Sequence, residues 1–259
     1  MYRKIKISIF LIAFTSMLSS LAYANGTLSD NIRIKSDVLG YDLQYKVYIP
    51  NTVKPDDKLP TLYITDGASY AKKGRMIKAL NDGIESGKIK PVIAIFVDAR
   101  DPDNLDINRR NEQFFCEKKY VDFFTTELVP YIDQTYSTSK LRKDRVILGV
   151  SFGGFNAGCF GLMATPYFGG IAMNSPAHSK FVKYLAKQYN RFDQKNIKIY
   201  MSVGSEVDNR DAVRSFRKVL NKKGYDLTYS QTYHGHNWDN WTPKLPKVLS
   251  TFFAPDTID

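Results

Sequence analysis

Residues 145–150 read RVILGV, an apolar run that ends at Ser151 and passes directly into Phe152-Gly153-Gly154 and a Gly/Ala-rich apolar segment. A strand that is apolar on both faces must be buried on both faces, which is the environment of a parallel sheet covered by helices. The pattern Gly149-Val150-Ser151-Phe152-Gly153 allows no loop between strand and helix. A turn that tight forces the serine into a strained backbone and projects its hydroxyl from the carboxyl end of the strand. Similar apolar runs, bounded by turn residues, recur at 60–65, 91–98, 170–174 and 197–203, with 229–233 last. Helical periodicity lies between them. Over 120–136 it places Val121, Phe124, Leu128, Val129 and Ile132 on one stripe, and over 212–223 it aligns Val213, Phe216, Val219 and Leu220 before a capping Gly224. Residues 31–36 and 43–49, on either side of Leu39-Gly40, predict an antiparallel hairpin at the N-terminal end. Strands alternating with helices predict an α/β fold with a mostly parallel central sheet flanked by helices. No internal repeat or linker interrupts residues 25–259, which read as a single domain.

A serine on such an elbow needs a base, and the chain has three histidines, His178, His234 and His236. In folds that carry this elbow the chain order is serine, acid, histidine. His236 lies beyond the last predicted strand, where the following loop reaches the same end of the sheet as Ser151. His234 is its competitor, whereas His178 precedes any acid-bearing strand and suits pocket lining or helix capping. The acid should follow the strand at 197–203, where the loop holds both Glu206 and Asp208. A carboxylate there fixes the imidazole tautomer and stabilises the imidazolium. Asp208 is favoured over Glu206, although Asp208 also suits the N-cap of the next helix. Two backbone N–H donors are needed to hold an oxyanion: Phe152, next to the serine, and the turn Asp66-Gly67-Ala68 after the strand at 60–65, with Gly67 the candidate.

Arg3, Lys4 and Lys6 precede an apolar run over 7–18, then Ser19, Ser20 and Ala22-Tyr23-Ala24. A basic start, a short apolar core and a small-residue site predict a signal peptide over 1–24, cleaved after Ala24. The segment 7–24 is borderline in length for a retained anchor, and its serines weaken that reading. The expectation is therefore export to the periplasm or the medium with no stable membrane anchor. Hydrophobic residues at 43% and charged residues at 24% exclude a disordered chain. The formal charge of +11 includes the three basic residues of the leader; the rest are scattered and match no nucleic-acid-binding motif, so nucleic acid is not an expected partner. In an oxidising compartment Cys116 and Cys159 form one disulfide, or else Cys159 is a buried thiol; both remain open. Three histidines without metal-ligand spacing predict no metal, and the lack of a G-x-G-x-x-G after the first strand predicts no nucleotide cofactor. Nothing in the sequence indicates an oligomeric state.

Leu62-Tyr63-Ile64-Thr65-Asp66-Gly67, Arg109 with Glu112, residues 127–132 (ELVPYI), the elbow with Gly154, Asn174-Ser175-Pro176, and Gly235-His236 with Trp238 and Trp241 follow one another in this order. From about residue 43 to 253 the chain thereby resembles the esterase family of α/β-hydrolases that includes enterochelin, feruloyl and acetyl-xylan esterases, S-formylglutathione hydrolase and the mycolyltransferases. The resemblance implies an α/β-hydrolase fold and ester hydrolysis through an acyl-enzyme, with Ser151 as nucleophile and His236 as base. Asp208 suits its feruloyl-esterase-like members and Glu206 its enterochelin-esterase-like ones. The resemblance also makes the stretch after Arg109 a wall of the pocket mouth. Arg109 or Arg110 is then a candidate for an acidic substrate group, with an ion pair to Glu112 as the structural alternative. Trp238 and Trp241 are candidates for stacking on sugar or aromatic rings, assisted by Tyr70, Phe114 and Phe115, with core packing as the alternative. The expected substrates are small or oligomeric esters, siderophore lactones or acylated and feruloylated sugars. The alternatives are acyl transfer to a sugar, which uses the same residues, and a non-catalytic binding protein on a hydrolase scaffold.

Overall fold

The computed structural model describes residues 26–256 except residue 55; the expected signal segment lies outside the described residues. Its strands are β1 (Thr27–Leu28), β2 (Ile32–Ile34), β3 (Leu43–Ile49), β4 (Thr61–Ile64), β5 (Ile93–Asp98), β6 (Arg145–Val150), β7 (Gly170–Asn174), β8 (Lys198–Gly204) and β9 (Asp226–Thr232). They join in one sheet in the order β1-β3-β5-β4-β6-β7-β8-β9, with β2 also paired to β3. β1, β2 and β5 run antiparallel to β3, and every pairing from β5 through β4 to β9 is parallel. The expected hairpin is β2–β3, which turns at Gly40 with φ +77°; β1 was too short to be read from the sequence.

The register gives every central strand the same parity. Tyr63, Ile95, Ile147, Ile171, Met173, Ile199 and Met201 face one apolar layer. Leu62, Ile64, Phe96, Val146, Leu148, Ala172 and Tyr200 face the other. The second layer is covered by α1 (Gly67–Lys72), α2 (Met76–Glu85) and the C-terminal helices. The first is covered by α3 (Arg110–Gln113), α4 (Lys118–Asp122), α5 (Val129–Thr135), α6 (Phe152–Met163), α7 (Ser179–Arg191) and α8 (Arg210–Lys222). α9 (Trp238–Trp241) and α10 (Leu245–Phe253) close the chain on the α1–α2 side.

Two expectations need correction. The continuous helix predicted over 120–136 is α4 and α5 joined by a π-helical segment, Phe123–Leu128. Pro130, near the start of α5, has no N–H for an i→i−4 bond, and the Thr125 and Thr126 hydroxyls donate to the Val121 and Asp122 carbonyls, which together favour a wider turn. The predicted apolar stripe is nevertheless buried throughout. The last strand starts at Asp226, three residues earlier than expected, because an edge strand alternates Asp226, Thr228 and Ser230 with its less polar residues and shows no continuous apolar run.

Cys116 and Cys159 form a disulfide with Cα atoms 5.2 Å apart, tying the loop before α4 to α6. The chain passes from β4 outward to β5 and returns to β6 on the other side of β4. The carboxyl ends of β4 and β6 therefore flank the point where the strand order reverses, which is where open α/β sheets form their binding crevice.

Candidate active site

Ser151 follows β6 with φ 56° and ψ −121°, a conformation that costs an L-residue about 1–3 kcal/mol. Its N–H donates to the Asn174 carbonyl at 2.9 Å, and its own carbonyl accepts from Ala177 at 2.9 Å and Phe155 at 3.1 Å, so both neighbouring segments hold the turn. The elbow also demands glycine at 149, since a Cβ there would fall on the Gly153 carbonyl. The serine thus stands between β6 and the N-terminus of α6.

The loop after β9 brings His236 over the same strand ends. Its Nε2 lies 2.8 Å from Ser151 Oγ and its Nδ1 lies 2.8 Å from Asp208 Oδ1. The ring also packs edge-on against Trp241, with centroids 5.0 Å apart. The Asp208 side chain, from the loop after β8, is fully buried. Gly204 N–H donates to its Oδ2 and Asn209 N–H to its Oδ1, each at 2.7 Å. Burial acts to raise the carboxyl pKa, but hydrogen bonds from His236, Gly204, Ser175 and Asn209 outweigh it and hold the group below the ordinary carboxylate value. An imidazole held between a hydroxyl and an ionised carboxylate is placed to take the hydroxyl proton.

Of the other candidates, Gly67 lies beside the elbow and the rest fall elsewhere. Glu206 is exposed, and its backbone N–H donates to the His234 carbonyl. His234 is exposed too, and His178 is the exposed N-cap of α7. Gly67 opens α1 beside the elbow and is buried; a Cβ there would strike the backbone of Phe96. Thr65 binds this turn to β6 through its N–H and its hydroxyl, both donating to the Leu148 carbonyl. Arg109 points away, pairing with Asp101 at 3.3 Å and Glu112 at 3.9 Å and lying over the Tyr41 ring. Trp238 packs edge-on against Tyr70 and Trp241, each at 5.2 Å.

Arg110 reaches the site instead. It grips Asp66 through two hydrogen bonds of 2.6 and 2.9 Å and lies over the rings of Phe114 and Phe152. Burial raises the pKa of the Asp66 carboxyl, and Arg110 pulls it back. Beside this pair lies a cavity of about 280 Å³, lined in part by Ala68, Ser69, Lys72, Lys73 and Arg100. Next to Ser151, and continuous with the Phe152 ring under Arg110, a group of aromatic rings forms a wall. Phe152 stacks on Phe155 at 5.7 Å and on Phe181 at 5.5 Å, and Phe115, 56% exposed, meets Phe181 edge-on at 5.0 Å. Sequence reading missed Phe155, Phe181 and Asn240, whose helical spacing or polar neighbours suggest core or surface. Among the described residues no cluster of His, Cys, Asp or Glu is placed to hold a metal ion.

A mostly parallel sheet between two helical layers, with serine, acid and histidine following β6, β8 and β9 in that order, defines an α/β-hydrolase. Residues 36–252 match the model of the family described as "Putative esterase", and the chain belongs to that family. It is 26% identical over 246 residues to YjcH, an uncharacterised protein of Bacillus subtilis (strain 168), covering 88% of this chain and all of that one. A ferulic acid esterase superposes with a TM-score of 0.72 at 19% identity, covering 88% of this chain and 98% of its own. The enterobactin esterase of Shigella flexneri superposes with a TM-score of 0.75 at 19% identity, covering 86% of this chain but 58% of that longer one.

Proposed function

We propose that this chain is an exported serine esterase that cleaves carboxylic esters through an acyl-enzyme. The observation that carries the reading is the continuous hydrogen-bonded path from Ser151 Oγ through His236 to Asp208. Ser151 Oγ attacks the acyl carbon as His236 Nε2 takes its proton, and Asp208 holds the imidazolium that results. The developing oxyanion takes hydrogen bonds from the backbone N–H groups of Phe152 and Gly67. Collapse of this intermediate expels the alcohol, protonated by His236, and leaves an ester on Ser151. Water then repeats the sequence, giving its proton to His236 and releasing the acid.

The walls of the site support one substrate class. The exposed ring of Phe115 and the half-buried rings of Phe152 and Phe181 suit an aromatic or otherwise apolar group on the ester, as in feruloylated sugars or catechol-bearing siderophore lactones. Export is supported by the leader-like residues 1–24 and by the Cys116–Cys159 disulfide, a bond that persists in oxidising compartments.

The test is hydrolysis of p-nitrophenyl acetate and of methyl ferulate by the mature protein, Ser151→Ala and His236→Ala. Both variants should fold and lose at least about 10³-fold in kcat/KM. Full activity in Ser151→Ala removes the mechanism, and equal kcat/KM for the two esters in wild type and Phe181→Ala removes the aromatic subsite.

A further inference from the structure

Lys244, between α9 and α10, is only 4% exposed, a rare position for a lysine. Its Nζ donates to the Asn240 Oδ1 atom and, at 3.4 Å, to the Val203 carbonyl. The Thr232 hydroxyl donates to the same Asn240 Oδ1 at 2.8 Å. The other end of that amide, Nδ2, faces the Gly235 carbonyl at 2.9 Å, Ser175 Oγ at 3.3 Å and Asp208 Oδ2 at 3.4 Å. Asn240 itself is buried, 1% exposed.

The two ends of an asparagine amide are almost the same size, so hydrogen bonding decides which way it points. The Thr232 and Ser175 hydroxyls can donate or accept and do not discriminate. Lys244 can only donate, and the Gly235 carbonyl and Asp208 carboxylate can only accept. A flipped amide would set its NH₂ against the ammonium and its oxygen against two other oxygens. Asp208 is also the charged group whose field reaches Lys244. Burial lowers the pKa of the ammonium to about 8, against the pull of that carboxylate, so the charge is present at neutral pH.

We infer that Lys244 is a positioning residue for the Ser151–His236–Asp208 relay: its buried ammonium locks the Asn240 amide in the orientation that donates to Asp208 and to the His236 loop at Gly235. The inference rests on the serine-esterase reading. Lys244 touches neither substrate nor His236. It acts through Asn240, which joins the acid loop, the histidine loop and the Ser175 turn beyond β7 in one hydrogen-bonded junction.

The test compares wild type with Lys244→Met, which removes donor and charge, and Lys244→Gln, which keeps a donor without the charge. Fold is checked by circular dichroism, and kcat and KM for p-nitrophenyl acetate are measured from pH 5 to 9. The Asn240 side-chain NH₂ resonances are followed by NMR. In Lys244→Met, kcat should fall on the order of tenfold with KM within twofold, as expected when a catalytic group loses its alignment. The acid limb of the kcat/KM profile should move up by about half a pH unit, since losing a nearby positive charge makes the Asp208–His236 pair easier to protonate. The Asn240 NH₂ resonances should shift as well. Lys244→Gln should regain most of kcat and keep the displaced limb. A folded Lys244→Met with wild-type kcat, limb and Asn240 resonances overturns the inference. If that variant does not fold, an undisplaced limb in Lys244→Gln does so. If the wild type hydrolyses no ester, the esterase reading fails on its own, and the NMR arm still decides whether Lys244 orients Asn240.

Discussion

Lys244→Met should make the protein slower and, at neutral pH, relieve it of a buried charge. An ammonium whose pKa falls from 10.5 in the unfolded chain to about 8 in the folded one resists folding while it is protonated. The sign follows from proton linkage: between pH 8 and 10.5 the unfolded state binds more protons, so wild-type stability gains with rising pH over that window, and the full penalty applies below it. At 1.36 kcal/mol per unit, the penalty at pH 7 is about 3 kcal/mol, and it shrinks to about 1 kcal/mol by pH 10. Methionine keeps the stem and has no such dependence. The stability of the variant minus that of wild type should therefore fall by about 2 kcal/mol from pH 7 to 10, whatever its absolute sign. Other titrating groups, the tyrosines included, cancel in this difference. The assay is urea unfolding of both proteins by circular dichroism at pH 7, 8, 9 and 10. Two stability curves that stay parallel across this range would refute the placement of a desolvated ammonium at this site.

Reduction of the Cys116–Cys159 disulfide, or its replacement by two alanines, should lower stability by about 4 kcal/mol, from the entropy of opening a 43-residue separation, read as a drop in the urea midpoint. Gly149→Ala should cost about 3 kcal/mol and most of the esterase activity, because the added methyl meets the Gly153 backbone and not a side chain that can swing away; unchanged melting would refute the tight elbow. Arg110→Met should destabilise by about 3 kcal/mol at pH 7, since Asp66 would be left buried and unpaired, and the loss should shrink toward pH 4 as Asp66 protonates; a pH-independent loss would mean packing alone.

Much of the architecture is visible in one-dimensional pattern. Apolar runs such as 145–150 and 170–174, short and bounded by turn residues, suit strands buried on both faces, and they became β6 and β7 with their expected bounds. The edge strand β9 was misjudged at its start because one partner and one exposed side leave it polar. The site divides along the same line. Ser151 is marked by local geometry, because five consecutive residues carry the elbow. The residue that meets His236 is not, because Glu206 and Asp208 share one loop and only the tertiary path puts Asp208 inside and Glu206 in solvent.

Arg109 and Arg110 make the same point, since one caps a short helix and the other opens it, and the sequence does not say which one faces Asp66. Lys244 was invisible for a stronger reason: a lysine near a C-terminal helix reads as surface, and its burial exists only because α9 and α10 fold back over the ends of β8 and β9. The sequence alone determined the class of fold, the serine at its elbow and the order of its partners, all written in short-range spacing. Tertiary structure alone decided which acid, which arginine and which lysine meet at that elbow, since those contacts join residues far apart along the chain and depend on where each loop leaves the sheet.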